Sequence, residues 1–161
     1  STRWWLPRHP TEFATEGLNM ADQIYWEDVS EGTDMLPLVK NPTTQQLVKY
    51  AGASGDYYQI HYDKDFAKGN GLDDVILHGA LKNAFLGQYM TDWMGPLGTL
   101  AMLSCQYRGM DSPGQPITAK GSVTRKYQED GRNLVDCEIW LENTEGQKTT
   151  PGSATVELPS R

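Results

Sequence analysis

Apolar and polar residues follow a helical spacing in the first half of the chain and an alternating spacing in the second half. Residues 24–38 predict a strand and a turn. Thr43 and Thr44 are N-cap candidates for a short predicted helix over residues 45–53, whose apolar side chains recur every three or four positions. Glycines over residues 52–55 end that helix, because glycine adopts the backbone conformation of a helix terminus easily.

A second, longer helix is predicted over residues 75–94, after a polar and aromatic loop over residues 56–74. Its polar positions form only a thin stripe: Lys82, Asn83 and Gln88. A helix that is apolar around most of its circumference is usually buried, so we expect this one at the centre of the fold. Gly95-Pro96 ends it, because proline cannot continue the hydrogen-bond ladder.

Beyond this helix the pattern changes to short segments of strand: residues 100–107, 117–127, 135–141 and 154–158. The first is mostly apolar, which is typical of a central strand, and turns at residues 129–132 and 143–146 join the others. A single sheet has one apolar face that must be buried, and the one long apolar helix can cover that face. The sequence therefore predicts an α+β fold, a single hot-dog fold in which an antiparallel β-sheet wraps around a long central helix.

Length and composition indicate a chain of 161 residues with one domain, which we expect over residues 23–161 after an N-terminal extension over residues 1–22. The first twenty residues lack a continuous apolar stretch, so we expect neither a signal peptide nor a membrane span. Trp4 and Trp5 either anchor the extension or are scattered surface aromatics. The use of only two cysteines favours a reducing cytoplasm.

Several classes of partner are disfavoured by the charge and by the absence of binding motifs. The net charge is −7 and no basic run exceeds Arg125-Lys126, so no nucleic-acid partner is expected. The histidines are widely spaced and there is no Cys-x-x-Cys pair, so no metal is expected. Gly69-Asn70-Gly71 is too short for a phosphate loop and reads as a turn, so no cofactor is signalled either.

The residues that carry chemistry are concentrated in one loop and at the head of the long helix. The loop reads Ala53-Ser54-Gly55-Asp56-Tyr57-Tyr58-Gln59-Ile60-His61-Tyr62-Asp63, and it is followed by Phe66-Ala67 and by Leu77-His78-Gly79-Ala80-Leu81. A carboxylate and an imidazole five residues apart are weak evidence by themselves. The whole block, however, resembles the signature of the MaoC-like hydratases and (R)-specific enoyl-CoA hydratases, Ser-Gly-Asp-x-Asn-Pro-x-His followed by Phe-Ala and His-Gly. The resemblance covers roughly residues 24–159.

This resemblance implies a hydro-lyase that reversibly hydrates a trans-2-enoyl thioester to an (R)-3-hydroxyacyl thioester. Asp56 and His61 match the catalytic pair of the family, and Gly79 matches the glycine whose N–H polarises the thioester carbonyl. A free N–H at a helix N-terminus suits the negative charge that develops on that oxygen. Which of the pair is formally the base stays open. Our hypothesis assigns water activation to Asp56, and water orientation and proton shuttling to His61.

Six further residues are expected to line the substrate site: Tyr57, Tyr58, Tyr62, Phe66, His78 and Ala80. For His78 a hydrogen bond to the active-site loop is favoured over proton transfer, and for the three tyrosines packing is favoured over contact with a bulky acyl group. The sequence departs from the family pattern at Tyr58-Gln59, where the family has Asn-Pro, and at Gly87, where a serine sometimes lines the site. These departures leave the identity of the acyl group open.

Three alternatives remain beside an enoyl-CoA hydratase: a dehydratase acting on carrier-protein thioesters, a hot-dog thioesterase, and a non-catalytic acyl-binding subunit of a heteromer. The pair of Asp56 and His61 counts against the thioesterase, and its combination with Gly79 counts against the non-catalytic subunit. We expect an acyl-CoA or acyl-carrier-protein substrate without a further cofactor. We also expect a homodimer, with a heteromer as the alternative, because a small curved sheet leaves an edge strand unpaired.

Overall fold

A computed structural model describes residues 23–161, so the extension predicted over residues 1–22, with Trp4 and Trp5, lies outside the described residues. The helices and strands follow one another as β1 (Leu38–Lys40), α1 (Thr44–Ser54), α2 (Lys64–Gly69), α3 (Gly79–Met94), β2 (Thr99–Cys105), β3 (Ile117–Glu129), β4 (Arg132–Glu142) and β5 (Lys148–Glu157). Short 3₁₀ turns lie at Trp26–Asp28 and Gln59–His61. The predicted order, a strand, a short helix, a long helix and then four strands, is confirmed.

The five strands form one antiparallel sheet in the order β1-β3-β4-β5-β2. The β3–β4 hairpin turns at Asp130 and Gly131, whose φ angles of 50° and 76° are both positive, as a two-residue type I′ turn requires. β2 lies at an edge of the sheet, so the prediction of a central strand over residues 100–107 was wrong. The apolar content of that segment reflects packing of Leu100 and Leu103 against the core, and it does not report how many strands lie beside it.

α3 packs against the sheet and supplies much of the core. Its buried apolar side chains are Leu81, Phe85, Leu86, Tyr89, Met90 and Met94, and those of β4 are Leu134, Val135, Cys137, Ile139 and Leu141. Burial of apolar side chains at roughly 1.5–3 kcal/mol each is the main term that holds such a layer together. The predicted α+β hot-dog fold, a curled sheet around a long helix, is confirmed.

The long helix begins at Gly79 and not at Val75, because the residues before it are extended and bond to neighbouring loops. The Ile76 N–H donates to the Ile60 carbonyl oxygen at 3.1 Å, and the Leu77 N–H donates to the Asp111 carbonyl oxygen at 2.8 Å. Tertiary partners therefore replace the first helical turn that periodicity predicted. The delayed start places Gly79 at the helix N-terminus.

The polar stripe predicted on α3 was wrong for Lys82, which is only 2% exposed and forms an ion pair with Asp111. The positions of α3 that face solvent are Ala80, Ala84, Gln88, Thr91 and Asp92. Polarity predicts exposure only where no buried partner of opposite charge is present, and Asp111 lies far away in the sequence.

Two loops also differ from the sequence predictions. The loop over residues 56–74 contains the turn Gln59–His61 and the helix α2, whose N-cap Asp63 accepts from the Phe66 N–H at 3.0 Å. The segment over residues 24–38, predicted as strand and turn, contributes a 3₁₀ turn and one bridge from Asp34 to Ser122 before β1 begins. Within the described residues, no helix has the length and apolar character needed to cross a bilayer.

Candidate active site

The end of α1 positions Asp56. Gly55 ends the helix with φ 78°, and its N–H donates to the Ala51 carbonyl oxygen. The Asp56 N–H donates to Ser54 Oγ at 3.2 Å, and the Tyr58 N–H donates to Asp56 Oδ1 at 3.3 Å. These local bonds hold the loop although the Asn-Pro of the family pattern is absent. They leave Asp56 Oδ2 directed toward the neighbouring histidine.

His61 is buried and its ring is held in one orientation. Nδ1 lies 2.8 Å from the Ile76 carbonyl oxygen, which can only accept, so Nδ1 carries the proton and Nε2 presents a lone pair in the neutral ring. Nε2 lies 3.8 Å from Asp56 Oδ2. This separation is too long for a direct hydrogen bond, and it suits a single water molecule that donates to both atoms.

His78 lies beneath this pair. Its ring stacks on the His61 ring with the centroids 3.8 Å apart, and its Nε2 lies 3.3 Å from the Asp56 carbonyl oxygen. Burial lowers the pKa of His78, and the nearby His61 lowers it further. A neutral His78 therefore donates from Nε2 to the active-site loop and supports the ring of His61.

Gly79 is the first residue of α3, so its N–H has no partner within the helix. The side chain of His78, the N-cap residue, does not cap the helix. The Tyr107 ring lies directly against Gly79, because a Cβ added there would be 2.8 Å from its Cε2 atom. Ala80 follows in the exposed first turn. The helix therefore offers a backbone N–H beside an aromatic ring.

The aromatic residues predicted around the site make contacts with one another and also expose ring surface. The Tyr58 ring lies edge-on to the rings of His61 and Phe66, with centroid distances of 6.3 and 6.1 Å. Tyr62 Oη donates to the Tyr57 carbonyl oxygen at 3.0 Å, while the Tyr57 side chain is largely exposed. Tyr58 and Tyr62 thus make contacts within the loop, yet Tyr57, Tyr58 and Tyr62 all present ring surface, with exposed fractions of 61%, 55% and 42%.

Sequence reasoning did not single out three residues of this site: Ile76, Tyr107 and Asp111. Ile76 acts through its backbone carbonyl, which no residue type reveals. Tyr107 entered only as the last residue of the strand predicted over residues 100–107. None of the three positions has a sequence signal of its own, because each reaches the site through tertiary packing.

Residues 29–147 match the model of a family described as the MaoC like domain. The chain belongs to the MaoC-like domain family. This match contains both the loop of Asp56 and His61 and the start of α3. The resemblance inferred from the sequence motif is therefore confirmed.

Two curated relatives of this MaoC-like domain are named as hydratases of CoA thioesters. The β subunit of 3-oxo-4,17-pregnadiene-20-carboxyl-CoA hydratase from Mycobacterium tuberculosis is 29% identical over 126 residues, which cover 78% of this chain and 91% of the relative. The (R)-specific enoyl-CoA hydratase from Rhodospirillum rubrum is 27% identical over 138 residues, which cover 85% of this chain and 93% of the relative. The similarity therefore extends over more than nine-tenths of each relative.

Solved structures share the fold of this MaoC-like domain. The R-hydratase PhaJ1 from Pseudomonas aeruginosa superimposes with a TM-score of 0.79 at 20% identity, covering 86% of this chain and 88% of that one. The ChsH1-ChsH2 complex from Mycobacterium tuberculosis contains a chain with a TM-score of 0.71 at 22% identity, covering 81% and 98% respectively. At these identities the comparisons establish the hot-dog architecture.

Three side chains of this MaoC-like domain are close enough to be considered as metal ligands. Ligand atoms of Asp56, His61 and His78 all lie within 4.8 Å of one another. His61 and His78 each already have one ring nitrogen near a backbone carbonyl oxygen. The same contacts hold two imidazole rings in a fixed orientation beside a carboxylate.

Proposed function

We propose that this MaoC-like domain catalyses the reversible hydration of a trans-2-enoyl thioester to an (R)-3-hydroxyacyl thioester. The observation that carries the proposal is the 3.8 Å separation of Asp56 Oδ2 and His61 Nε2, two acceptors close enough to bind one water molecule. The free N–H of Gly79 supplies the second requirement, a donor for the thioester oxygen. The names of both curated relatives favour CoA as the thiol, and the (R) configuration rests on the second of them.

In the proposed mechanism one water molecule donates its two protons to Asp56 and His61. Its lone pair is then free to form a bond with the β-carbon of the substrate. As that bond forms, a proton passes from the water to Asp56, and negative charge moves through the enoyl system to the thioester oxygen at the Gly79 N–H. The same proton is then relayed from Asp56 to the lone pair of His61 Nε2 and from there to the α-carbon, so that H and OH are added in total and both residues return to their starting forms. Dehydration follows the same steps in reverse.

The held tautomer of His61 supports this division of roles. Because Nδ1 donates to the Ile76 carbonyl oxygen, Nε2 is the atom that faces the water and the substrate. The neutral ring of His78 beneath it adds no positive charge, which would weaken the affinity of His61 for the proton that it relays. Such preorganised acid–base groups contribute about 10²–10⁴ in rate.

We further propose that the domain forms a dimer with a second MaoC-like chain along the free edge of β2. The simplest partner is a copy of the same chain. β2 ends the sheet and has an unpaired backbone edge, which proteins normally cover. The site is also open on this chain, since Tyr57, Tyr58 and Tyr107 are each more than half exposed. One relative is named as a β subunit, so a different partner chain is the alternative. Sedimentation as a single-chain species at micromolar concentration would contradict the homodimer.

The activity is tested by following the loss of enoyl-thioester absorbance with crotonyl-CoA and with longer, branched, aryl and ring-bearing enoyl-CoAs. We expect turnover by the wild type and a fall in kcat of about 10²–10⁴ in D56N and in H61N. Asparagine at position 56 keeps the acceptor for the Tyr58 N–H but loses the charge. Asparagine at position 61 offers an amide N–H for the Ile76 carbonyl oxygen but removes Nε2.

D65N is the matched control, because Asp65 is an exposed carboxylate in the first turn of α2 whose side chain forms no hydrogen bond or ion pair with the described catalytic residues Asp56, His61 and Gly79. It should turn over like the wild type. Full activity in D56N would refute the assignment of the water-activating group. If the folded wild type hydrates no CoA thioester, carrier-protein thioesters become the proposed substrates. The same acyl groups loaded on a carrier protein then test that proposal.

A further inference from the structure

A buried ion pair lies beside the site and takes no part in the proposed chemistry. Lys82 Nζ donates to Asp111 Oδ2 at 2.8 Å and to the Gly109 carbonyl oxygen at 2.7 Å. The two side chains are only 3% and 7% exposed. Removing both charges from water opposes folding, and an apolar pair of similar volume often stabilises a core equally well. Stability alone therefore gives no reason for charges at these positions.

The pair connects the two sides of Gly79. The Asp111 carbonyl oxygen accepts from the Leu77 N–H, two residues before Gly79, and the Asp111 carboxylate accepts from Lys82, three residues after it. Asp111 thus holds the strand-like entry to α3 and the first turn of α3 at the same time. The orientation of the Gly79 N–H depends on both.

The same pair holds the segment that carries the Tyr107 ring. Lys82 binds the Gly109 carbonyl oxygen on one side of this segment, and the Arg108 and Gly109 N–H groups donate to the Thr149 carbonyl oxygen on the other, at 3.0 and 2.9 Å. The segment is therefore fixed between α3 and β5. Since the Tyr107 ring lies against Gly79, the distance between the ring and the helix is set by these bonds.

We propose that Lys82 and Asp111 are positioning residues, which set the gap between the Gly79 N–H and the Tyr107 ring through which the thioester carbonyl reaches its donor. This role rests on the proposed function. Directional bonds from an ammonium group fix the segment over residues 107–111 in one register, whereas an apolar pair would fill the same space without fixing it. A donor misplaced by a fraction of an ångström loses its effect in the transition state more than in the ground state.

The test compares K82M, D111V and the double variant K82M/D111V with the wild type. Each single variant should unfold at a lower urea concentration, because it leaves one buried charge unpaired. The double variant should regain the wild-type midpoint, yet its kcat should remain about tenfold lower with KM within about threefold, the pattern of an interaction made in the transition state. K120M/E142V, which removes a more exposed ion pair on β3 and β4, should leave kcat unchanged.

Hydrogen–deuterium exchange provides a readout that does not depend on activity. In the double variant the amides of Leu77, Arg108 and Gly109 should exchange faster than in the wild type at an equal global stability. Wild-type kcat together with wild-type exchange in the double variant would overturn the proposal. If the wild type hydrates no thioester, the proposed function fails, and unchanged exchange at these three amides would separately overturn the positioning role.

K82R keeps the test decisive if the double variant does not fold. It retains the buried charge, but its planar guanidinium is larger than an ammonium and cannot take the same place between Gly109 and Asp111. We expect a folded protein with a kcat reduced about tenfold. A kcat equal to that of the wild type would show that the position of the segment does not depend on the ammonium group, which contradicts the proposal.

Discussion

Asp56 and His61 are held in different ways, and the difference suits different roles. The Asp56 side chain is about half exposed on a loop that its own hydrogen bonds shape, so water reaches it directly. His61 is buried, with Nδ1 bound to the Ile76 carbonyl oxygen and one ring face covered by His78. An exposed carboxylate can receive the water, and a fixed imidazole can direct a proton to one carbon. The motif places both residue types, but only the fold sets the tautomer.

The contact between Gly79 and Tyr107 leads to a prediction for G79A. A methyl group there would lie 2.8 Å from the Tyr107 ring and would occupy the approach to the N–H. The ring is more than half exposed and can rotate about its own side-chain bonds while the backbone of its segment stays in place, so we expect a change in unfolding free energy of less than about 1 kcal/mol. Activity should fall at least tenfold, measured as kcat/KM with the fastest enoyl-CoA of the panel.

A84G changes an exposed position of the same helix and serves as the control: it should lower stability without a comparable loss of activity. If G79A turned over at the wild-type rate, the Gly79 N–H would not be the donor to the thioester.

At the scale of the elements, α3 and β2 show what periodicity predicts and what it leaves open. The apolar pattern predicts that α3 is a buried helix, and it is. The pattern does not give its first residue, because the extended residues before Gly79 are held by the Ile60 and Asp111 carbonyl oxygens. Nor does it show that β2 is an edge strand, because strand order depends on pairing between distant segments.

The edge position of β2 leads to a prediction for M102K. Met102 is 43% exposed on this strand, and a lysine there would bring like charges together or bury a charge in an interface formed by two copies. We expect the wild type to sediment as a dimer and the dissociation constant of M102K to rise at least tenfold, measured by analytical ultracentrifugation. Q128K places the same charge on an exposed position of β3 and should leave the assembly intact. Equal dissociation constants for wild type and M102K would exclude β2 from the interface.

At the scale of the whole molecule, the buried His78 links stability to pH. Burial holds the pKa of His78 below its ordinary value of 6.5, so the folded protein takes up this proton less readily than the unfolded chain does. A group with a lowered pKa in the folded state contributes stability that is present above pH 6.5 and is lost as the pH falls below it. Acidification should therefore weaken the stack of His78 and His61 along with the loop of Asp56.

The corresponding prediction compares the wild type with H78Q in urea at pH 7.5 and pH 5.5. Glutamine offers an amide donor for the Asp56 carbonyl oxygen but does not titrate. We expect the unfolding free energy of the wild type to fall more over this range than that of H78Q. The other titrating groups are common to both proteins and cancel in the difference. Identical losses in the two proteins would show that His78 does not titrate differently in the folded and unfolded states.

The sequence by itself determined the fold class, the order of the elements and the loop that carries Asp56 and His61. These follow from local causes: spacing of apolar residues, a threonine N-cap, glycines at turns and a continuous motif. Only the tertiary structure decided the tautomer of His61, the contact of Tyr107 with Gly79 and the burial of Lys82. Each of these depends on a partner distant in sequence, and no local pattern encodes a distance between segments that meet only when the sheet closes around the helix.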